Sequence, residues 1–435
     1  MRAARLYERL GEYHSWDDAA ALDCYASALA LVGEAPTALP ARLLAAQGHA
    51  LMGLRRWAES RERCEQALAV AAAAGDDEQA AAARITLGIT LAFLGDSEAG
   101  EGYLREALAA ARGEDSVRAY VHLGELLRVR GDHAGALVAM ETGERAAARL
   151  GMRGSFGSFM YVNAIDDLLR LGRWQEAGAR VREAERMDLG VTAATMLHAS
   201  AAQLHALRGE GAPAREHLDR ARRCVELGLP GEFETPYRSA AAALALAERD
   251  PEAARKHAVT ALSSPPEPLY IPMLLWLGVR AEADAAEADR THRRAVELAR
   301  VDALLAAFPE GGAGAPAHRE LALAERARAA GAADPALWRA ASDRFDALGE
   351  PYPAAYARLR EAEALLSGGS DRRTAAERLW PARATAAELA ATPLLEEIDA
   401  LARRGRISPE PASAPCERVD LRQQRCRSEL GRGRA

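Results

Sequence analysis

Lysine is nearly absent: Lys256 is the only one in 435 residues, so arginine carries almost all the basic charge. Asparagine occurs once, at Asn163. Both biases read as the mark of a GC-rich genome rather than of function. Aromatic residues make up 5% of the chain and alanine dominates, a composition that favours helix over strand. The five cysteines are Cys24, Cys64, Cys224, Cys416 and Cys426. An odd count with no CxxC pair excludes a disulfide framework and points to a reducing compartment. Long apolar runs are missing too. The longest, Ala67–Ala74 and Ala240–Ala247, fall far short of a membrane span. The N-terminal MRAARLYERLGEYHSWDD has no apolar core of the kind a signal peptide needs. There is no excess of positive charge: the net charge is −7 and the isoelectric point near 5.9, which argues against unaided grip on nucleic acid. The expectation is a soluble, cytoplasmic protein without membrane or direct nucleic-acid binding.

What the chain does have is a spacing rule. A small residue, another twelve positions on, and a third seven further recur six times. The triads are Gly48, Ser60, Ala67; Gly88, Gly100, Ala107; Gly124, Ala136, Gly143; Ile165, Ala177, Ala184; Ala202, Ala214, Ala221; and Ala242, Ala254, Ala261. Only Ile165 is not small. Successive triads start 36 to 41 residues apart, the range of helix-pair repeats. Antiparallel helices approach closely only where small side chains face each other, so a fixed small–small–small spacing encodes a packing contact. Turns follow at matching places: Leu94-Gly95-Asp96, Arg130-Gly131-Asp132, Leu171-Gly172-Arg173 and Arg208-Gly209-Glu210. Trp57 and Trp174 open second helices and are read as caps over the turn.

The pattern resembles the tetratricopeptide repeat, and residues Leu10, Gly11, Ala21, Tyr25 and Ala28 form a looser first copy. The fold class implied is all-α: a right-handed superhelical solenoid of roughly ten antiparallel helix pairs. Residues 1–264 hold the clear repeats. Residues 265–407 continue the solenoid as degenerate repeats, after the breaks Ser263–Pro268 and Pro309–Pro316. Helical periodicity runs there over Leu275–Leu305, His318–Ala329, Asp334–Leu348, Tyr352–Leu366, Arg372–Ala390 and Leu394–Arg403. Pro351 and Pro353 read as a turn. Residues 408–435 mix Pro, Ser and Arg without period and read as a disordered tail.

Three phrases carry a second resemblance: Gly151–Ala177, the run from Trp338, and PLLEEIDALARRGRI at Pro393–Ile407. They resemble the helical-repeat region of ATPase-linked LuxR-type bacterial transcriptional regulators. That resemblance implies a sensing region in signal transduction and transcription regulation. The family's P-loop needs GxxxxGK[ST], and the single lysine lies in ARKHA with no glycine loop before it. Neither the ATPase module nor the helix-turn-helix has residues to map onto, so the frame reads as a truncated or frameshifted relative, or a fragment.

Asp17-Asp18 and Asp166-Asp167 fail the DDxxD pattern that would hold magnesium, since positions 21 and 170 are Ala and Arg. Asp17-Asp18 instead suits a helix N-terminus. His198 and His205 are seven apart rather than four, against a zinc pair. His318 reads as a cap or surface residue. Gly151, Gly154 and Gly157 follow no strand and read as a flexible lead into a helix near Ser158, not a dinucleotide loop. No catalytic residue, cofactor or metal is expected, and the chain is read as a non-enzyme. A convergent acidic pocket would instead favour an α-helical toroid hydrolase or cyclase.

The remaining surface is the concave face, lined by first helices. Counting from the small positions places Arg118, Glu125 and Arg128 there in one repeat, Phe159, Asn163 and Asp166 in the next, and Met196 and Gln203 in the one after. A rigid groove of mixed polar and apolar groups suits a protein or peptide partner, or a small effector. The leading expectation is a non-catalytic sensor and interaction module of a LuxR-type regulator. The alternative is a stand-alone tetratricopeptide adaptor.

Overall fold

The computed structural model describes residues 2–14, 17–32, 37–227, 231–263, 267–288, 294–308, 314–369 and 372–407. The tail at 408–435, with Cys416 and Cys426, lies outside them, as do residues 264–266 and 309–313 of the two expected breaks. All regular structure among the described residues is helical. Among the described residues, twenty-one α-helices form ten successive pairs and one further helix. The first three pairs are α1 (Arg2–Tyr13) with α2 (Asp18–Ala30), α3 (Ala38–Gly53) with α4 (Trp57–Ala74), and α5 (Asp77–Phe93) with α6 (Ser97–Ala110). Next come α7 (Gly113–Val129) with α8 (His133–Arg149), α9 (Ser158–Arg170) with α10 (Trp174–Ala184), and α11 (Val191–Arg208) with α12 (Gly211–Val225). The later pairs are α13 (Gly231–Ala247) with α14 (Pro251–Leu262), α15 (Ile271–Ala288) with α16 (Arg294–Ala306), α17 (Gly314–Ala329) with α18 (Pro335–Leu348), and α19 (Pro351–Ser367) with α20 (Arg372–Glu388). The last helix among the described residues is α21 (Thr392–Gly405). No helix among the described residues is long and apolar enough to cross a membrane.

The small-residue triads sit where the helices touch. Every triad position is buried, Ile165 included. A Cβ on Gly88 of α5 would stand 2.8 Å from the Gly100 carbonyl oxygen of α6, so the two backbones meet face to face. In the preceding pair Ser60 Oγ donates to the Gly48 carbonyl oxygen at 2.8 Å and lies 3.0 Å from Thr90 Oγ1 of the following pair. One hydroxyl therefore ties two repeats together, with its polarity satisfied in a dry contact.

Helix starts follow from capping chemistry. Asp17, Asp76, Asp96, Asp132, Asp250 and Asp334 each accept a hydrogen bond from a backbone N–H in the first helical turn. Between α7 and α8 the turn needs a left-handed residue, and Gly131 takes φ 74° there without Cβ strain. The equivalent turns before α4 and α14 place Arg55 and Arg249 at φ 59° and 62°. Trp174 is wholly buried, and its Nε1 donates to the Leu169 carbonyl oxygen at 3.0 Å, covering the C-terminal end of α9. Trp57 is half-buried and stacks on Phe93, with ring centroids 4.6 Å apart. Pro351 and Pro353 do not make a separate turn: both lie in the first turn of α19, where a missing N–H leaves no bond unmade. The periodicity over Leu275–Leu305 resolves into two helices, α15 and α16.

A pure solenoid packs each unit only on its neighbours. This chain departs from that. One continuous apolar core runs from Val117 in α7 to Ile407 beyond α21. Helix α21 packs on α11, the Trp174 ring lies 5.7 Å from that of Tyr352, and the Gly209 turn abuts Pro393. The last helices thus fold back onto the middle pairs. The concave face expected to be an open groove is covered there in part, which leaves a partly open cavity.

Candidate functional site

The cavity has a volume of about 220 Å³. Six of the eight residues assigned to the concave face line it: Glu125, Arg128, Phe159, Asn163, Asp166 and Met196. Arg118 and Gln203 do not. Arg118 borders a more open hollow of about 310 Å³ between the first four pairs, with Arg42, His49 and Thr86. Its guanidinium pairs with Asp115 at 2.8 Å. Gln203 faces a small apolar pocket with Met273 and Trp276.

The floor of the cavity is a polar chain crossing three parts of the sequence. Arg128, buried on α7, donates from Nε and Nη2 to the two carboxylate oxygens of Asp167 at 2.8 and 2.7 Å. It also donates to the Asn163 side-chain oxygen at 2.5 Å and to the Asn163 backbone carbonyl at 2.7 Å. Such a two-pronged pair fixes geometry as well as charge. The lone asparagine of the chain is therefore a ligand for Arg128, and its own amide donates to the Phe159 carbonyl at 3.0 Å. His133 Nδ1 lies 3.1 Å from Asp167 Oδ1, and its Nε2 lies 3.8 Å from Glu350. Glu350, the N-cap residue of α19, is 3.5 Å from Arg170 Nη1. Burial raises the carboxyl pKa of Asp167, but Arg128 and His133 outweigh it and hold the group below the usual range. Glu350 behaves alike: burial opposes ionisation, and Arg170 and His133 restore it.

Asp166, next to this chain, is different. It is 8% exposed, makes no hydrogen bond or ion pair among the described residues, and its Oδ1 is shut off with no partner. Asp166-Asp167 is thus a split pair: one carboxylate is hydrogen-bonded to arginine, while the other feels Arg128 and Arg170 only through space. Neither forms part of a metal cluster among the described residues.

The rest of the wall was not legible from repeat spacing. Arg170 follows Asp166 by one helical turn and extends the α9 face already traced through Asn163, so the periodicity alone could have included it. Tyr270, His318 and Glu350 come from far along the chain, and no local signal marks them. His318 corrects a sequence reading: it is not a cap or surface residue but sits inside α17, 4% exposed, edge-on to Phe345 at 5.1 Å. Its Nδ1 pairs with the Gly314 carbonyl oxygen at 2.9 Å. Burial pushes its pKa down to about 4, so the ring is neutral at pH 7. His198 and His205 flank His217 of α12, with His198 Nδ1 and His217 Nδ1 3.1 Å apart.

No protein-family model and no curated protein sequence matches this chain. Among solved structures, yeast Tom70 is similar at 11% identity and a TM-score of 0.31, covering 94% of this chain and 98% of that one. The P58(IPK) TPR domain is similar at 12% identity and a TM-score of 0.23, covering 93% of this chain and 99% of that one. At such scores the repeat architecture rests on the chain's own helix pairing and spacing.

Proposed function

We propose that this chain is a non-catalytic sensor module that takes a small effector into the cavity between its middle pairs and its folded-back C-terminal helices. One observation carries this reading: the cavity wall is shared by α7, α9 and α11 on one side and by His318 and Glu350 on the other. An occupant would touch both, so its binding energy is coupled to how α17–α21 sit on α9–α11. The ionic groups of the floor are held by fixed partners, which suits a binding site better than an acid–base pair working on a substrate. The phrases at Gly151–Ala177 and Pro393–Ile407 support a finer reading, a sensing region of a LuxR-type transcriptional regulator. In that setting contact with DNA would belong to another domain, in keeping with the net charge of −7.

A thermal-shift screen of amino acids, sugars, nucleotides and amines tests the proposal on the full chain. A ligand at a hundred times its Kd stabilises by about 2.7 kcal/mol, a readable shift. The expected result is a compound that raises the midpoint, slows hydrogen exchange in α19–α21, and loses both effects in Met196→Trp, which pushes a larger ring into the cavity. Compounds whose effect survives Met196→Trp, or no shift from any class at millimolar concentration, would refute it.

A second reading has its own support. The hollow beside Arg42, His49 and Arg118 is uncovered, so the first four pairs keep a surface open to a peptide, as in a stand-alone adaptor. Peptide-library binding lost in Arg118→Ala but kept in Met196→Trp would favour that reading.

A further inference from the structure

The cavity's ion pairs nearly balance, and two buried polar atoms of its lining are left without a hydrogen-bond partner, Asp166 Oδ1 and Arg170 Nε. Arg128 is matched by Asp167 and Arg170 by Glu350. Glu125 shares a hydrogen bond with His122 Nδ1 at 2.8 Å, and Glu267 has Arg55 at 3.8 Å. Asp166 is the one lining carboxylate with no such partner among the described residues, and it is more than nine-tenths buried. Removing a carboxylate from water without a donor costs several kcal/mol; Arg128 and Arg170 act on Asp166 through space and offset part of this, but neither donates a hydrogen bond to it. The neighbouring walls are apolar: Phe159, Met196, Leu269 and Pro272. Tyr270 beside them stays a protonated phenol, because burial and the Asp166 charge push its pKa up. His318 adds no positive charge at pH 7.

We infer that the cavity binds a small organic monocation, a protonated amine on an apolar body, with Asp166 as its counter-ion. The ammonium group supplies the donors that Asp166 lacks, and the body covers Phe159 and Met196. A neutral ligand would leave the carboxylate charge unmatched, and an anion would add a second charge of the same sign beside it. The two arginines do not repel the cation as bare charges, since each already faces a carboxylate at 2.7 or 3.5 Å.

This inference rests on the effector reading above, and the test separates the two. Titration calorimetry at pH 7 compares 2-phenylethylamine, 2-phenylethanol and 3-phenylpropanoate on the full chain. The amine is expected to bind at least tenfold tighter than the alcohol, the carboxylate not at all, and Asp166→Asn to lower amine affinity at least tenfold. The comparison among ligands needs no variant, so it stands even if Asp166→Asn fails to fold. Amine and alcohol binding equally, or no binding of the amine at millimolar concentration, overturns the cation assignment. If the alcohol or the carboxylate binds instead and Met196→Trp abolishes it, the effector reading survives while this one falls. If the amine binds and Met196→Trp leaves it unchanged, both fall.

Discussion

Two glycines on α6 receive opposite predictions from the same substitution. Gly100 faces α5, and a Cβ there would sit on the Gly88 carbonyl oxygen and 3.1 Å from Leu126 Cδ1. Gly102, two residues on, is exposed and a Cβ would meet nothing within 4 Å. Replacing a mid-helix glycine by alanine stabilises a helix by about 1 kcal/mol, and Gly102→Ala should realise that gain. Gly100→Ala gains the same about 1 kcal/mol but must push two backbones apart. Overpacking costs about 1–3 kcal/mol, and the upper half applies because a carbonyl cannot swing aside as a side-chain tip can. The net loss is then about 1–2 kcal/mol. A repeat protein opens locally, so native-state hydrogen exchange of α5 and α6 amides is the assay. Exchange should rise about tenfold in Gly100→Ala and fall about fivefold in Gly102→Ala, since about 1.4 kcal/mol is a factor of ten. If both variants move exchange in the same direction, the close contact of α5 and α6 is wrong, and the small-residue rule with it.

Other consequences are open to direct measurement. Arg128→Met strands Asp167, which is wholly buried, and should cost about 3–5 kcal/mol in a denaturation series. Adding Asp167→Leu should recover at least half of that, and no recovery would mean Asp167 is not held by Arg128. His318 has a folded pKa of about 4 against an ordinary 6.5, so its neutral form is what the fold holds. Its contribution is fully present above pH 6.5 and lost as pH falls toward 4, up to about 3 kcal/mol at about 1.36 kcal/mol per pH unit. Urea midpoints for wild type and His318→Gln should therefore differ in slope across that window, and parallel curves would contradict the burial of the ring. Ala177→Leu and Ala214→Leu, at fully buried triad positions, should each lower stability by about 1–3 kcal/mol. Unchanged midpoints in both would sink the repeat alignment.

Much of the helical plan was readable residue by residue. The periodic run Asp334–Leu348 is α18 with Asp334 as its cap, and Leu394–Arg403 lies within α21. These succeeded because capping and apolar periodicity are local, acting within one or two turns. Local signals failed where contacts are long-range. Nothing in the phrase around His318 says that its ring is buried against Trp276 and Phe345. The run Leu275–Leu305 shows one apolar period, yet it folds as two helices because the chain turns back to pack α16 on α15.

The candidate site divides along the same line. The amino-acid sequence by itself determined which side chains share the inner face of each first helix, because 3.6 residues per turn put Phe159, Asn163, Asp166 and Arg170 on one stripe. It also determined that the pairs can stack closely, through small residues at fixed spacing. Only the tertiary structure decided that this face is partly covered. Each pair adds a small rotation to the last, and over six or so pairs these sum to a curve that brings Glu350 against Arg170 and α21 against α11. No single repeat encodes that sum. The same partial covering took Asp166 out of water and left it without a hydrogen-bond partner, a property that belongs to the assembled superhelix and not to any stretch of its sequence.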